Sequence, residues 1–214
     1  MIRKGNTIVI LRCAVMLLAG HSIAVCAGEL NSRNSIGYEF VGHVLNASAT
    51  QSLQYGYLSS VPNLITISTA DGPISETNAL LTFYNDTTTQ QVINNGPIRV
   101  IDRTGTATIF ANPSGGGDFT NPDSFRTGRP IQSCSLRHQV VIDTSTGYFT
   151  AAFEMTITSV RVFQVNNNGY VLGQPGEVYH WSVYGKLTQQ GPPSAQIAGF
   201  ATGSRAARIS TDVH

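Results

Sequence analysis

Short runs of strand-forming residues, separated by turn residues, constrain the fold of this chain more than any other feature. The runs are rich in Val, Ile, Thr, Tyr and Phe, and Gly, Pro, Asn or Asp ends most of them. No sustained helical spacing of apolar residues follows residue 27. This pattern predicts an all-β domain built from antiparallel strands.

The strand pattern and the turn residues divide the chain in a consistent way. The predicted strands are 37–45, 51–59, 64–69, 79–85, 90–94, 98–102, 106–111, 132–143, 148–158, 161–165 and 178–187. Turn residues predict tight connections at 94–97 and at Arg103-Thr104-Gly105. The turn 143–147 joins the two longest strands and predicts a hairpin with long arms.

Many short antiparallel strands in one domain form either a closed barrel or a two-sheet sandwich. Closure removes the exposed edges that invite aggregation. We therefore predict a single antiparallel β-barrel of about eight main strands over residues 37–187, with a two-sheet β-sandwich as the alternative. Residues 28–36 would lead into it, and residues 188–214, rich in Gly, Pro, Ala and Ser, would form a loosely ordered tail. The long loop 112–130 is either a functional rim or an ordinary flexible excursion.

The first 27 residues have the pattern of a secretory signal peptide. Basic Arg3, Lys4 and Arg12 precede a short apolar run, and small residues up to Ala27 provide a cleavage site. The apolar run is shorter than the roughly 20 residues that a membrane-spanning helix needs. We expect cleavage after Ala27, a secreted or periplasmic protein, and no membrane span. The alternative is a bacterial lipoprotein with its lipid on Cys26, although lipoprotein signals carry a smaller residue before the cysteine.

The composition after cleavage excludes several classes of protein. Loss of the three basic residues leaves ten Lys and Arg against twelve Asp and Glu, so we expect no nucleic-acid partner. The lone remaining cysteine, Cys134, cannot form an internal disulfide, which weakly favours a bacterial source. The sequence lacks the motifs of serine hydrolases, phosphate loops, dinucleotide-binding folds and zinc peptidases. The histidines show no metal-ligand spacing, so we predict neither a metal site nor a cofactor.

The strand 132–143 provides the candidate for acid–base chemistry. Alternation places Cys134 and His138 on its mostly apolar face, which should point inward. Four residues along a strand span roughly 13 Å, so these two side chains cannot pair with each other. Either both line an ordinary core, or the interior holds a cavity in which His138 is the candidate catalytic residue, because histidine titrates near neutrality.

Five further residues are candidates for ligand contact. Phe153 and Trp181 lie on inward faces, where aromatic rings either line a pocket or fill the core. Tyr84 is a candidate for the wall of the same cavity. Glu76 and Arg161 stand beside strand ends, where the mouths of a barrel form. An acid and a base there either orient a ligand or form a surface ion pair worth about 0–1 kcal/mol.

Three segments, 54–59, 76–84 and 105–110, resemble strands of small secreted bacterial barrels and of the allene oxide cyclase and dirigent group. The resemblance implies an eight-stranded antiparallel barrel whose apolar cavity binds a small hydrophobic molecule. It also implies that the cavity cyclises a reactive intermediate or steers a coupling. The glycine-rich signature of dirigent proteins is not matched by residues 199–203, and no catalytic residue is transferred.

Two functions are therefore open at this point. The first is a secreted barrel that binds a small hydrophobic molecule, with or without cyclase, isomerase or coupling-steering activity. The second is a non-enzymatic domain that takes part in surface interactions or in envelope structure. A cavity of roughly 300 Å³ or more would favour the first, and a solidly packed interior would favour the second.

Overall fold

The computed structural model of the chain describes residues 36–64, 66–189, 191–203 and 206–208. The predicted signal peptide, the alternative lipid site at Cys26 and the predicted lead-in up to residue 35 lie outside the described residues. The described residues form strands and one short 3₁₀ helix, Pro122–Arg126, so the all-β class is confirmed. No helix in this part of the chain is long and apolar enough to span a membrane.

Eight strands close into one antiparallel barrel, as predicted, and not into a sandwich. The strands of the chain are β1 (Ile36–Asn46), β2 (Gln51–Ser60), β3 (Leu81–Asn95), β4 (Ile98–Ala111), β5 (Arg129–Asp143), β6 (Tyr148–Val160), β7 (Phe163–Val165), β8 (Asn168–Leu172), β9 (Val178–Leu187), β10 (Ala195–Thr202) and β11 (Ala206–Arg208). The order around the barrel is β1-β10-β9-β6-β5-β4-β3-β2, and β2 pairs with β1 again. The short strands β7, β8 and β11 form a separate small sheet.

Strands β3 and β4 are each longer than predicted, because each joins two predicted strands. The predicted turn at Arg103-Thr104-Gly105 is wrong, since these residues lie inside β4 and pair with β3 and β5. Gly105 is needed inside the strand for a steric reason, because a Cβ atom at this position would lie only 2.0 Å from the backbone oxygen of Asp86. The glycine therefore allows two backbones to approach closely, and it does not mark a turn.

The predicted tail contains a strand that is essential to barrel closure. Ala195–Thr202 forms β10, which pairs with β1 on one side and with β9 on the other. The barrel thus extends beyond the predicted boundary at residue 187. Apart from Ile197, its inward positions are small residues (Ala195, Gly199 and Ala201), and a Cβ atom at Gly199 would lie 2.8 Å from the ring of Phe40. A small residue is needed at position 199 because the ring of Phe40, its partner on the neighbouring strand β1, fills the space.

Two other predicted segments also differ from the structure. Residues 66–69 form no strand and contribute only an isolated bridge between Ser68 and Ala79. The loop 112–128 packs against the outer face of the barrel, where the ring of Phe125 lies 5.4 Å from that of Tyr55. Thr82 Oγ1 fixes this loop by donating a hydrogen bond to the Phe125 carbonyl oxygen at 2.8 Å.

The barrel interior has two different halves. We call the end at which β1, β3, β5 and β9 finish and β2, β4, β6 and β10 begin the upper end, and the opposite end the lower end. Large side chains fill the lower half, and those exposed by less than 2 % include Tyr38, Phe40, Leu58, Phe83, Met155, Tyr179 and Trp181. The ring of Trp181 lies 4.1 Å from that of Phe40 and 5.2 Å from that of Phe83. The lower half is therefore a packed core, and free space remains in the upper half.

Candidate functional site: a partly polar cavity in the upper half of the barrel

A cavity of about 60 Å³ lies in the upper half of the barrel, and we call it the upper cavity. Its wall is mainly apolar, with contributions from Val44, Ile142, Phe149, Val183, Leu187 and Ile197. Four polar side chains interrupt this wall: Asn46, Gln54, Arg103 and His138. No acidic side chain lines the cavity among the described residues.

Strand register brings the two most polar of these side chains together. Arg103 on β4 lies directly opposite His138 on β5, and His138 lies opposite Phe153 on β6. Residues opposite each other on one face of a sheet have Cβ atoms roughly 5 Å apart. A guanidinium, an imidazole and a phenyl ring therefore stand side by side on the inner wall of the barrel.

His138 is a buried imidazole without a hydrogen-bond partner. It is 5 % exposed, and neither of its ring nitrogens has a hydrogen-bond partner in the described part of the chain. Its ring stands edge-on to Phe153 at a centroid distance of 4.2 Å. Burial, reinforced by the charge of Arg103, lowers the pKa of His138 to about 3. The imidazole is therefore neutral near pH 7, where it is a weak base and a hydrogen-bonding group.

Arg103 is a half-buried cation without an acidic partner. Its Nε donates a hydrogen bond to Thr89 Oγ1 at 3.2 Å. The ion pairs among the described residues join Arg126 to Asp123 and Arg137 to Glu154, and neither pair includes Arg103. Burial lowers the pKa of Arg103, and the neighbouring charge of Arg99 lowers it further. The guanidinium thus brings an uncompensated positive charge to the cavity wall.

The inner wall formed by β2 and β3 adds further polar groups. Gln54 Nε2 donates to Ser52 Oγ at 3.0 Å and to Thr87 Oγ1 at 3.2 Å. The other amide atom of Gln54, and both amide atoms of the fully buried Asn85, have no partner in the described part of the protein. Buried polar atoms are nearly always paired, so these unpaired amide atoms on the inner wall are an exception.

The polar groups of the lower half are paired with one another. Trp181 Nε1 donates to the hydroxyl of Tyr38 at 2.7 Å, and that hydroxyl donates to Tyr179 at 3.2 Å. The Tyr179 hydroxyl donates to Gln132 Oε1 at 2.7 Å, and Gln132 Nε2 donates to the Leu172 carbonyl oxygen at 2.8 Å. This chain of hydrogen bonds holds the core together and leaves no group free for a ligand.

Cys134 belongs to the same packed region. Its Sγ lies 3.5 Å from the Tyr179 hydroxyl. Burial raises the pKa of the Cys134 thiol to about 11. Because the thiolate is the reactive form, this neutral thiol is a core side chain rather than a nucleophile.

The structure brings together only two of the residues that the sequence singled out. His138 and Phe153 line the upper cavity. Trp181 points inward, but it lies in the packed lower half. Tyr84 is on the outer face, because its neighbours along β3 point inward, and the Arg126 guanidinium lies 5.0 Å from its ring centre. Tyr84 therefore does not contribute to the cavity wall.

Glu76 and Arg161 both lie at the lower end of the barrel, away from the upper cavity. Glu76 is in the loop between β2 and β3; burial raises the pKa of Tyr57, and the charge of Glu76 raises it further. Arg161 follows β6, and its backbone N–H donates to the Ile131 carbonyl oxygen at 2.8 Å. No ion pair between Glu76 and Arg161 occurs in the described ranges.

Arg103 is the residue that sequence reasoning missed, because the tripeptide that contains it was interpreted as a turn. A signal was present in the sequence. Arg103 is an odd-numbered residue of β4, like Ile101, Ala107 and Ile109, whose side chains share the buried face of one continuous strand. Had the two short predicted strands been joined, Arg103 would have been predicted to point into the barrel.

Comparison of this chain with family models, curated proteins and solved structures gives no significant match. The resemblance to the allene oxide cyclase and dirigent group therefore stays a prediction. The function must be argued from the geometry of the upper cavity.

Proposed function

We propose that this protein is a secreted barrel that binds a small, largely apolar molecule in the upper cavity. The observation that supports the proposal is an apolar wall interrupted by Arg103 and by an imidazole with two unpaired nitrogens. Apolar side chains of similar size would serve folding at least as well at these positions. Retention of polar groups in a barrel interior is explained by a ligand that they contact.

The upper cavity is smaller than the roughly 300 Å³ that we expected of a ligand-binding barrel, so its size limits the proposal to a compact ligand and gives no support to catalysis. Pockets for drug-sized ligands have volumes of roughly 300–1,000 Å³, whereas the upper cavity measures about 60 Å³. A compact ligand of a few non-hydrogen atoms fits this volume, and a larger one requires side chains at the cavity wall to move. The cyclase or coupling role implied by the resemblance needs more space, and His138 is a weak acid–base group because its pKa is lowered to about 3.

Native mass spectrometry of the protein purified from its own host tests the proposal. We expect the intact protein to carry a small molecule that is released on denaturation. The variant Ala151→Leu fills the cavity from its wall, and we expect it to lose the molecule while remaining folded. Ala152→Leu adds the same volume on the outer face and is the matched control. A wild-type protein that releases nothing and binds no small apolar probe would overturn the proposal.

A second candidate function, a surface-interaction domain, is favoured by exposed aromatic residues on the outer face. Tyr148, Tyr184 and Phe200 are 40 %, 57 % and 38 % exposed, and they lie on the adjacent strands β6, β9 and β10. The rings of Tyr148 and Tyr184 stack at a centroid distance of 5.7 Å. Exposed apolar patches often mark interaction sites. Light scattering of the wild type and of Tyr184→Ser tests self-association, and a concentration-independent monomer in both would argue against association through this face.

A further inference from the structure

The charge of Arg103 is not balanced by any acidic group that faces it. The cavity wall contains no carboxylate among the described residues. Asp102 and Asp86, on the neighbouring segments of β4 and β3, are instead engaged by Gln139 and Gln51. Arg99, four residues before Arg103 on the same strand, adds a second positive charge near it. The described wall of the upper cavity therefore carries a positive charge with no facing carboxylate.

Arg103 uses one of its hydrogen-bond donors within the described part of the chain. A guanidinium has five N–H donors, and the Nε donor is taken by Thr89 Oγ1. Among the described residues, neither terminal nitrogen donates a hydrogen bond to the protein. These nitrogens form the planar fork that matches a carboxylate. The neighbouring neutral imidazole of His138 provides one more N–H donor.

We infer that the ligand of the upper cavity is a compact monoanionic carboxylate, bound through its carboxylate group by Arg103. This inference rests on the proposed function, because it names the chemical class of the ligand at the same site. One arginine fork neutralises one negative charge, and the wall of Val44, Ile142 and Phe149 receives the apolar part of the molecule. The volume of about 60 Å³ restricts that part to a few carbon atoms.

Butyrate and butyramide are a matched pair of probes, because they have nearly the same shape and differ in charge. Isothermal titration calorimetry at low ionic strength, with the full secreted protein, measures both. We expect the wild type to bind butyrate at least about tenfold more tightly than butyramide, since hydrogen bonds to charged groups are stronger than neutral ones. Arg103→Gln should remove this preference, and Arg103→Lys, which keeps the charge but loses the fork, should reduce it.

Arg137→Gln is the control for net charge. Arg137 precedes His138 in the sequence and lies on the outer face of the barrel, where it pairs with Glu154 at 3.5 Å. The substitution therefore removes one positive charge outside the cavity. We expect it to keep the full preference for butyrate. Loss of the preference in Arg137→Gln as well as in Arg103→Gln would mean that general electrostatics and not the fork is responsible, and would overturn the inference.

The remaining outcomes separate this inference from the proposed function. Equal affinities of the wild type for butyrate and butyramide, with both lost in Ala151→Leu, would overturn the inference and leave the proposed function in place. If neither probe binds the wild type, the inference is overturned. The small molecule released in native mass spectrometry then decides independently whether the proposed function survives.

Discussion

Burial of a neutral histidine makes the stability of this barrel sensitive to acid in a way that can be traced to one side chain. Burial and the charge of Arg103 lower the pKa of His138 from 6.5 to about 3 in the folded protein. Between these two values the unfolded chain binds a proton on His138 and the folded protein does not. Protonation therefore favours the unfolded chain.

The sign and size of the effect follow from this difference. The contribution of His138 to stability is fully present above pH 6.5, and it is lost progressively as the pH falls from 6.5 towards 3. A difference of one bound proton between the unfolded and the folded chain changes the free energy of unfolding by about 1.4 kcal/mol per pH unit. We therefore expect His138 to reduce the free energy of unfolding by about 2 kcal/mol between pH 7 and pH 5. His43, whose pKa is also lowered by burial, acts in the same direction.

Urea unfolding at pH 7 and at pH 5 measures this loss, with Trp181 fluorescence as the probe. Trp181 is the single tryptophan of the chain and is buried in the lower half of the barrel. The variant His138→Leu should lose about 2 kcal/mol less than the wild type over this interval. His180→Leu removes a histidine from the outer face and should behave as the wild type. Equal losses in the wild type and in His138→Leu would refute the reasoning, because His138 would then titrate as it does in water.

Three further predictions test the packing of the barrel. Gly56→Ala should destabilise the protein by about 1–3 kcal/mol in urea unfolding, because its Cβ atom would lie 2.1 Å from the Val41 carbonyl oxygen; an unchanged midpoint would contradict the close approach. Tyr38→Phe should cost about 1–3 kcal/mol in the same assay, because it removes the acceptor of Trp181 Nε1. Truncation after residue 188 should yield aggregates in size-exclusion chromatography, because loss of β10 exposes the edges of two strands; a monomeric truncated protein would contradict the closed barrel.

The sequence was sufficient to predict the fold class, because alternation is clear wherever the inward residues are large. In β6, Phe149, Phe153 and Met155 alternate with exposed residues, as predicted, and they are buried. The same alternation was hidden in β10, whose inward positions include Gly199 and Ala201. Small residues carry little hydrophobic signal, and their role depends on rings from other strands that the local sequence does not contain.

The candidate site was harder to predict than the fold. His138 and Phe153 were identified because each stands in a strand with a strong alternating pattern. Arg103 was missed because Gly105 beside it is typical of a turn, and only the backbone of the neighbouring strand explains why a glycine is needed there. A polar residue in a strand can be assigned to an interior site only when the bounds of that strand, and the face on which its alternate residues lie, are known.

The contrast between the two halves of the barrel is the argument for placing the function at the upper end. In the lower half, the polar atoms of Tyr38, Tyr179 and Trp181 are hydrogen-bonded to one another. In the upper half, both nitrogens of His138 are unpaired, and the charge of Arg103 is uncompensated among the described residues. Unpaired buried polar groups cost about 1–3 kcal/mol each. The unpaired groups of the upper half therefore destabilise the folded protein. A ligand that hydrogen-bonds to them would offset this cost, which supports the proposal of a binding site in the upper cavity.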